Sequence, residues 1–368
     1  MATAYGAALP ELVRQLHAGY GQLSLLFALQ SLGNTVAYFY ANHLVDRFGT
    51  RRVLLVGFLL FCLATGLLPG LPSFGLWALL AFAAGVAFAL VDVGGSRLIS
   101  DLYRHEQAQA FNRLNLWFGV GAISAPLAVG LLSRLGLPVA LVFALAAILS
   151  LVGAVGMASV HDLPGGQAAG EGLQGNVALW REAPWLRTLT WLVFCYVAAE
   201  SGFSAWVAAF VHVRAGVADS LASLYPAAYQ LGLTATRLWI GPRLPGLRLE
   251  RVLLLGALMA TASSGLVAFV GGSAMLVLLV AAMMGVALGP AFPIVLSVAG
   301  REAPHREGQA FFFIFTSLAL AALSVPWLEG QIFPARPELA FVITSLLAAA
   351  MALFALRLGR QTGAGPAT

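Results

Sequence analysis

The chain has 368 residues, of which 60% are hydrophobic and 10% charged, with a mean hydropathy of +0.88. A soluble domain carries roughly 25% charged residues, so an ordinary soluble fold is excluded and an all-α integral membrane protein is expected. All 20 basic residues are Arg, scattered through short loops, which argues against a basic nucleic-acid-binding domain. The two cysteines, Cys62 and Cys195, lie inside apolar runs without metal-type spacing and read as small core residues. No nucleophile elbow, phosphate loop, paired-His helix or Cys/His cluster occurs, so neither an enzyme, a cofactor nor a metal is expected.

Apolar runs of about 20 residues, long enough to cross a hydrocarbon core about 30 Å thick, recur along the chain. They predict membrane helices over 21–44, 53–70, 76–97, 109–133, 138–159, 187–211, 221–241, 251–271, 273–298, 309–332 and 338–357. Only a fragment, Met1 to Leu12, precedes them. The joints are short and rich in Gly, Pro and Arg, as in "LPGLPSFG". The long polar stretch "HDLPGGQAAGEGLQGNVALWREAP" divides the chain into a helical bundle over 1–160, a linker over 161–186, a second bundle over 187–357 and a tail over 358–368. Arginines crowd alternate joints, among them Arg47, Arg51, Arg52, Arg97, Arg248 and Arg251, whereas the opposite joints carry Arg14, Arg134, Arg214 and Arg336. By the positive-inside rule the Arg-rich joints and the C-terminus are cytoplasmic, in a multi-pass protein of the cell's cytoplasmic membrane.

The sequence also repeats. "VLLVG" from Val53 returns as "VLLLG" from Val252, 199 residues later. At a displacement of 200, "GVAFA" from Gly85 becomes "GVALG" from Gly285, and Ser124, Pro126 and Gly130 meet Ser324, Pro326 and Gly330. Two six-helix halves, with a site between them near the midplane, are the economical reading. The same displacement sets Met1 opposite Glu200, so the sequence is expected to begin halfway through a first helix.

Asp92 and Glu200 stand out as acids inside predicted membrane helices. An ionised residue at the centre of a membrane helix costs about 2.5–3.5 kcal/mol, and such groups mark ion or proton paths. Both are candidates for proton coupling; the structural alternatives are a helix-packing hydrogen bond for Glu200 and a pairing with Arg97 for Asp92. Polar and aromatic residues at helical spacing suggest a solute lining. Gln30 and Asn34 lie four apart, as do Tyr225 and Tyr229, with Tyr196, Trp206, Gln230 and Phe292 in the second half and Asn112, Asn115 and Trp117 in the first. Ordinary core aromatics are the alternative for any one of them.

"HLVDRFGTRR", from His43 to Arg52, resembles the loop signature of the major facilitator superfamily. The resemblance implies that family's fold of two pseudo-symmetric six-helix bundles, and a cytoplasmic gate of Asp46, Arg47, Arg51 and Arg52. Arg237, in "LTATRLWIG", matches the family's basic residue on its helix and joins that gate. The repeat copy of the loop is degraded, with Pro245 where Asp46 would stand. "FCYVAAESGFSAW", "AFPIVLSVAG" and "DVGGS" further resemble helices seven, ten and four of the fucose permease type of sugar–proton symporter. That implies a coupling role for Asp92; the group's acid on helix one is matched here by Gly6.

The expected function is secondary active transport of a small polar solute, a sugar or related metabolite, by alternating access with proton symport. The partners are then the solute, protons and the lipid bilayer, without nucleic acid, for a monomer. The alternatives are a proton-driven exporter of an amphipathic compound and a non-transporting membrane receptor or scaffold with this fold.

Overall fold

The computed structural model describes residues 2–103, 107–160, 179–240, 243, 247–270, 272–303 and 306–362, and is all-helical over them apart from short turns. The helices are α1 (Ala2–Leu16), α2 (Tyr20–Phe48), α3 (Thr50–Gly66), α4 (Phe74–Leu102), α5 (Gln107–Arg134), α6 (Leu141–Ser159), α7 (Pro184–Ala215), α8 (Asp219–Ala222), α9 (Leu224–Ile240), α10 (Leu249–Val270), α11 (Ala274–Leu288), α12 (Ala291–Glu302), α13 (Glu307–Ile332) and α14 (Glu338–Thr362). Nine stretches among the described residues are long and apolar enough to span a membrane. The gap at 161–178, in the expected linker, lies outside the described residues.

Two expected helices are interrupted. The segment expected over 221–241 breaks at Ser223 into α8 and α9, and that over 273–298 breaks at Gly289 and Pro290 into α11 and α12. Proline has no N–H to donate and its ring clashes with the preceding turn, so Pro226 and Pro290 weaken the ladder where each break falls. The expected fragment at the start is a helix, α1, with Ala4, Tyr5, Ala8, Leu9 and Leu12 buried.

Within each half the same close crossing recurs. A Cβ added to Gly85 of α4 would lie 2.0 Å from the Gln30 carbonyl of α2, and one added to Gly285 of α11 would lie 2.0 Å from the Tyr229 carbonyl of α9. Gly33 and Gly232 face the carbonyls of Phe82 and Ala282 in the same paired manner, at 2.2 and 2.3 Å. Only Gly lets two backbones meet that closely. Gln30 and Tyr229, Gly33 and Gly232, Gly85 and Gly285 are all partners in the sequence repeat, which is therefore a repeat of backbone contact.

The halves meet along α2 and α13, α5 and α9, and α1 and α7. Among the described residues, their contacts crowd toward the Arg-poor end. There the Tyr20 ring stands 6.1 Å from Trp206 and 5.1 Å from Phe333, while Trp206 stacks on Phe333 at 4.6 Å and donates from Nε1 to the Pro326 carbonyl at 3.1 Å. Gln331 Nε2 donates across the seam to the Gly21 carbonyl at 3.0 Å and to Ser24 Oγ at 3.1 Å. Gly330 abuts Ser24, and their repeat partners Gly130 and Ser223 abut each other. Toward the Arg-rich end, the described residues meet across the seam at Phe39 with Phe312, 6.1 Å apart, and at Gly119 against Thr234.

Candidate functional site between the two halves

Glu200 sits well within α7, half-buried, one turn beyond the fully buried Tyr196. From α9, Arg237 reaches the same point: its Nη2 donates to Tyr196 Oη at 3.2 Å and its Nε to the Gly289 carbonyl at 3.0 Å. That carbonyl is free because the residue four positions on, which would donate to it in a continuous helix, is Pro293. The chain break between α11 and α12 thus creates the acceptor that orients the guanidinium. Glu200, Tyr196 and Tyr229 all lie within electrostatic reach of Arg237.

The other half presents a simpler arrangement. Tyr38 of α2 donates from its phenol to Asp92 Oδ2 of α4 at 2.8 Å, and Asp92 is exposed. Tyr38 is the repeat partner of Arg237, displaced by 199, so both equivalent helix positions serve the acid side of their bundle with different chemistry. Each half brings a carboxyl and a tyrosine to an intramembrane depth.

The expected solute-lining residues divide. Gln30 is buried and Asn34 half-buried, and the side-chain oxygens Gln30 Oε1 and Asn34 Oδ1 have no hydrogen-bond partner among the described residues. Tyr229 is fully buried with a phenol likewise unpartnered and its ring 5.6 Å from Phe203. Gln230 is buried beside it in sequence. Tyr225 donates to the Ala274 carbonyl at 2.9 Å, a bond that ties α9 to α11. Trp206 belongs to the seal at the Arg-poor end, stacked on Phe333. Phe292 packs 6.3 Å from Phe315, and Trp117 is 71% exposed. The side chains of Asn112 and Asn115 lie outside the described residues.

The expected gate is also split. Asp46 faces Arg97 Nη2 at 3.9 Å, Arg47 lies over the Phe48 ring at 5.3 Å, and Arg51 donates to the carbonyls of Met157 at 3.3 Å and Ala158 at 2.7 Å. Arg52 is exposed. Arg237 does not join this loop cluster; its place is beside Tyr196 and Gly289, inside the C-terminal half. The resemblance identified the residue, but its position depends on the α11–α12 break.

One acid escaped the sequence reading. Glu329 of α13 looks like a helix-end residue, yet it is fully buried. Thr344 Oγ1 of α14 donates to its Oε1 at 3.0 Å, while its Oε2 has no partner among the described residues. Gly202 of α7 makes room for it, since a Cβ there would lie 2.5 Å from Oε2. Nothing in the spacing of "WLEGQIF" reveals a facing glycine on another helix. A cavity of about 260 Å³ between α7 and α13, lined by Trp180, Trp191, Phe194, Phe313, Thr316 and Leu320, contains none of these carboxyls.

The Major Facilitator Superfamily profile matches residues 1–326, and the chain belongs to that family. It is similar to the Multidrug resistance protein MdtL of Shewanella oneidensis, with 30% identity over 98 residues, 27% of this chain and 25% of that relative. The match thus spans about a quarter of that curated relative's length. Among solved structures, a D-xylose-proton symporter aligns with a TM-score of 0.83 at 12% identity, covering 98% of this chain and 93% of the other. A bacterial homologue of the human lysosomal transporter Spinster, in an inward-facing and unoccupied conformation, aligns at 0.81 with 14% identity, covering 98% and 93%. The nucleoside transporter NupG aligns at 0.78 with 12% identity, covering 98% and 94%. At such identities the likeness establishes the fold.

Proposed function

We propose that this protein is a secondary transporter of a small polar solute, a sugar or related hydroxyl-rich metabolite, working by alternating access with proton symport. The observation that carries the reading is a carboxyl set beside a tyrosine in each half, Asp92 bonded by Tyr38 and Glu200 one turn from Tyr196, between halves whose described contacts concentrate at one end. The bundles 1–160 and 187–357 rock about that seam, and the Arg-rich face is cytoplasmic. Gln30, Asn34 and Tyr229 supply unmet hydrogen-bonding groups for solute hydroxyls. D-xylose and nucleosides, the solutes for which two of the structural neighbours are named, are polyhydroxylated, which supports the class. The fucose permease resemblance of the helices around Asp92 and Glu200 points the same way.

In the cycle, Glu200 and Asp92 take up protons and solute while the outer end is open. Their neutralisation lowers the cost of closing that end, and release follows at the Arg-rich end. The test is alkalinisation of weakly buffered, energy-depleted cells on adding hexoses, pentoses or sugar acids. A solute-dependent rise in pH that vanishes in Glu200→Gln, with solute exchange retained, is expected. Persistent uphill accumulation in Glu200→Gln would remove Glu200 from the coupling role.

A second reading, proton-driven export of an amphipathic compound, draws on the MdtL match and on the exposed ring of Trp117. Direction separates the two: extrusion that Asp92→Asn stops, with no sugar-dependent pH change, would favour export.

A further inference from the structure

At the Arg-poor end, four elements converge on one aspartate. Arg14 of α1 extends its Nη2 to both Glu11 of its own helix and Asp219 at the start of α8. His212, in the last turn of α7, places Nδ1 2.8 Å from Asp219 Oδ1 and 3.0 Å from the Val217 carbonyl. Tyr20 at the start of α2 lies within electrostatic reach of both Asp219 and Arg14. Among the described residues, Arg14–Asp219 is an ion pair that joins the two halves. The pairs Asp46–Arg97, Arg214–Glu338 and Arg301–Glu250 each lie within one half. Asp219 is the more buried partner, with a side chain 13% exposed against 55% for Arg14.

We infer that Arg14, Asp219 and His212 form an acid-sensitive latch that holds the two halves closed at the Arg-poor end and opens as protons bind there. The latch rests on the reading of this protein as an alternating-access transporter whose Arg-poor face is external. The groups that face Asp219 are Arg14 and Glu11 from α1, Tyr20 from α2 and His212 from α7. Protonation of His212 sets a second cation against Asp219, which competes with Arg14 from within the C-terminal half and repels its guanidinium. That loosens the cross-half link, so acid outside favours opening outside. In a proton symporter this delivers the outward-open form on the side where protons are plentiful, separately from the carboxyls at the seam.

The test uses full-length protein in lipid vesicles with spin labels at Leu137→Cys and Phe269→Cys, one in each half, in a Cys62→Ser, Cys195→Ser background. Distances are read without solute between about pH 5 and pH 8, the range in which an imidazole changes charge. The native latch should give an open-to-closed ratio that rises as pH falls. Arg14→Gln and Asp219→Asn should raise that ratio at the alkaline end by up to about fivefold, as expected for a partly exposed ion pair, and should flatten its pH response. His212→Gln should flatten the response while leaving the alkaline distance unchanged. The exchange of charges, Arg14→Asp with Asp219→Arg, should restore closure and guards against a mere folding defect. A pH response identical in native, Arg14→Gln and Asp219→Asn proteins would overturn the latch. A failure of proton coupling would show in solute-dependent pH change, a measurement independent of these distances.

Discussion

The crossing of α2 with α4 and the crossing of α9 with α11 are one backbone solution carrying two chemistries. Gly85 meets Gln30 as closely as Gly285 meets Tyr229, yet eight residues farther along the first helix of each pair stands Tyr38 in one half and Arg237 in the other. Asp92 lies exposed above the first crossing, whereas the equivalent stretch of the second has Phe292 and the Gly289 carbonyl freed by Pro293. The lesson is that close packing constrains both copies equally, because a Cβ cannot share space with a carbonyl oxygen. Side chains facing the seam meet no such constraint and have diverged.

The largest expected effects test the shared part. Gly85→Ala and Gly285→Ala each force a backbone carbonyl aside and should each cost about 3 kcal/mol of stability or more, read as a fall in thermal unfolding temperature in detergent. Gly95→Ala, on the same α4 with open space around it, should be neutral or stabilising by up to about 1 kcal/mol. Equal losses at Gly85 and Gly285 would sharpen the comparison, and tolerance at either one would break it.

Next come the diverged positions. Arg237→Met leaves the Gly289 carbonyl and the Tyr196 phenol without their charged donor, so a loss of about 3–5 kcal/mol is expected from two hydrogen bonds of about 1.5–3 kcal/mol each, together with loss of transport. Tyr38→Phe, at the matching position, removes one hydrogen bond to Asp92 and should cost about 1.5–3 kcal/mol at most, with transport slowed. Similar penalties at the two sites would mean that their chemistry had diverged less than their side chains. The smallest effect belongs to the seal: Trp206→Phe keeps the stack on Phe333 but loses the bond to the Pro326 carbonyl, a change of about 1 kcal/mol. Its signature should be a wider distance at the Arg-poor end in the spin-label measurement.

Much of this was legible in the chain. The repeat, the Gly pairs within it, and the two acids in "DVGGS" and "CYVAAESGFSAW" were visible because each depends on local residue type and spacing. The loop signature at Asp46 led to the right family, since Gly49 and the double Arg are tied to a turn. What stayed hidden depended on partners from elsewhere. Glu329 reads as a helix end until Gly202 and Thr344 close over it. Arg237 reads as a gate residue until Pro293 frees a carbonyl on another helix. Tyr225 reads as solute lining until its phenol is seen tied to Ala274.

By itself the sequence determined that the chain lies in a membrane, that it folds as two related helical halves and that carboxyls lie inside two of its helices. Hydropathy, repeat spacing and residue type are properties of a segment, and they act before any helix meets another. Only the tertiary structure decided which end of the seam is closed, which of the buried polar groups found partners and which charge bridges the halves. Those outcomes depend on the face each helix turns to its neighbour, and that face is chosen by the close approach of backbones far apart in the chain.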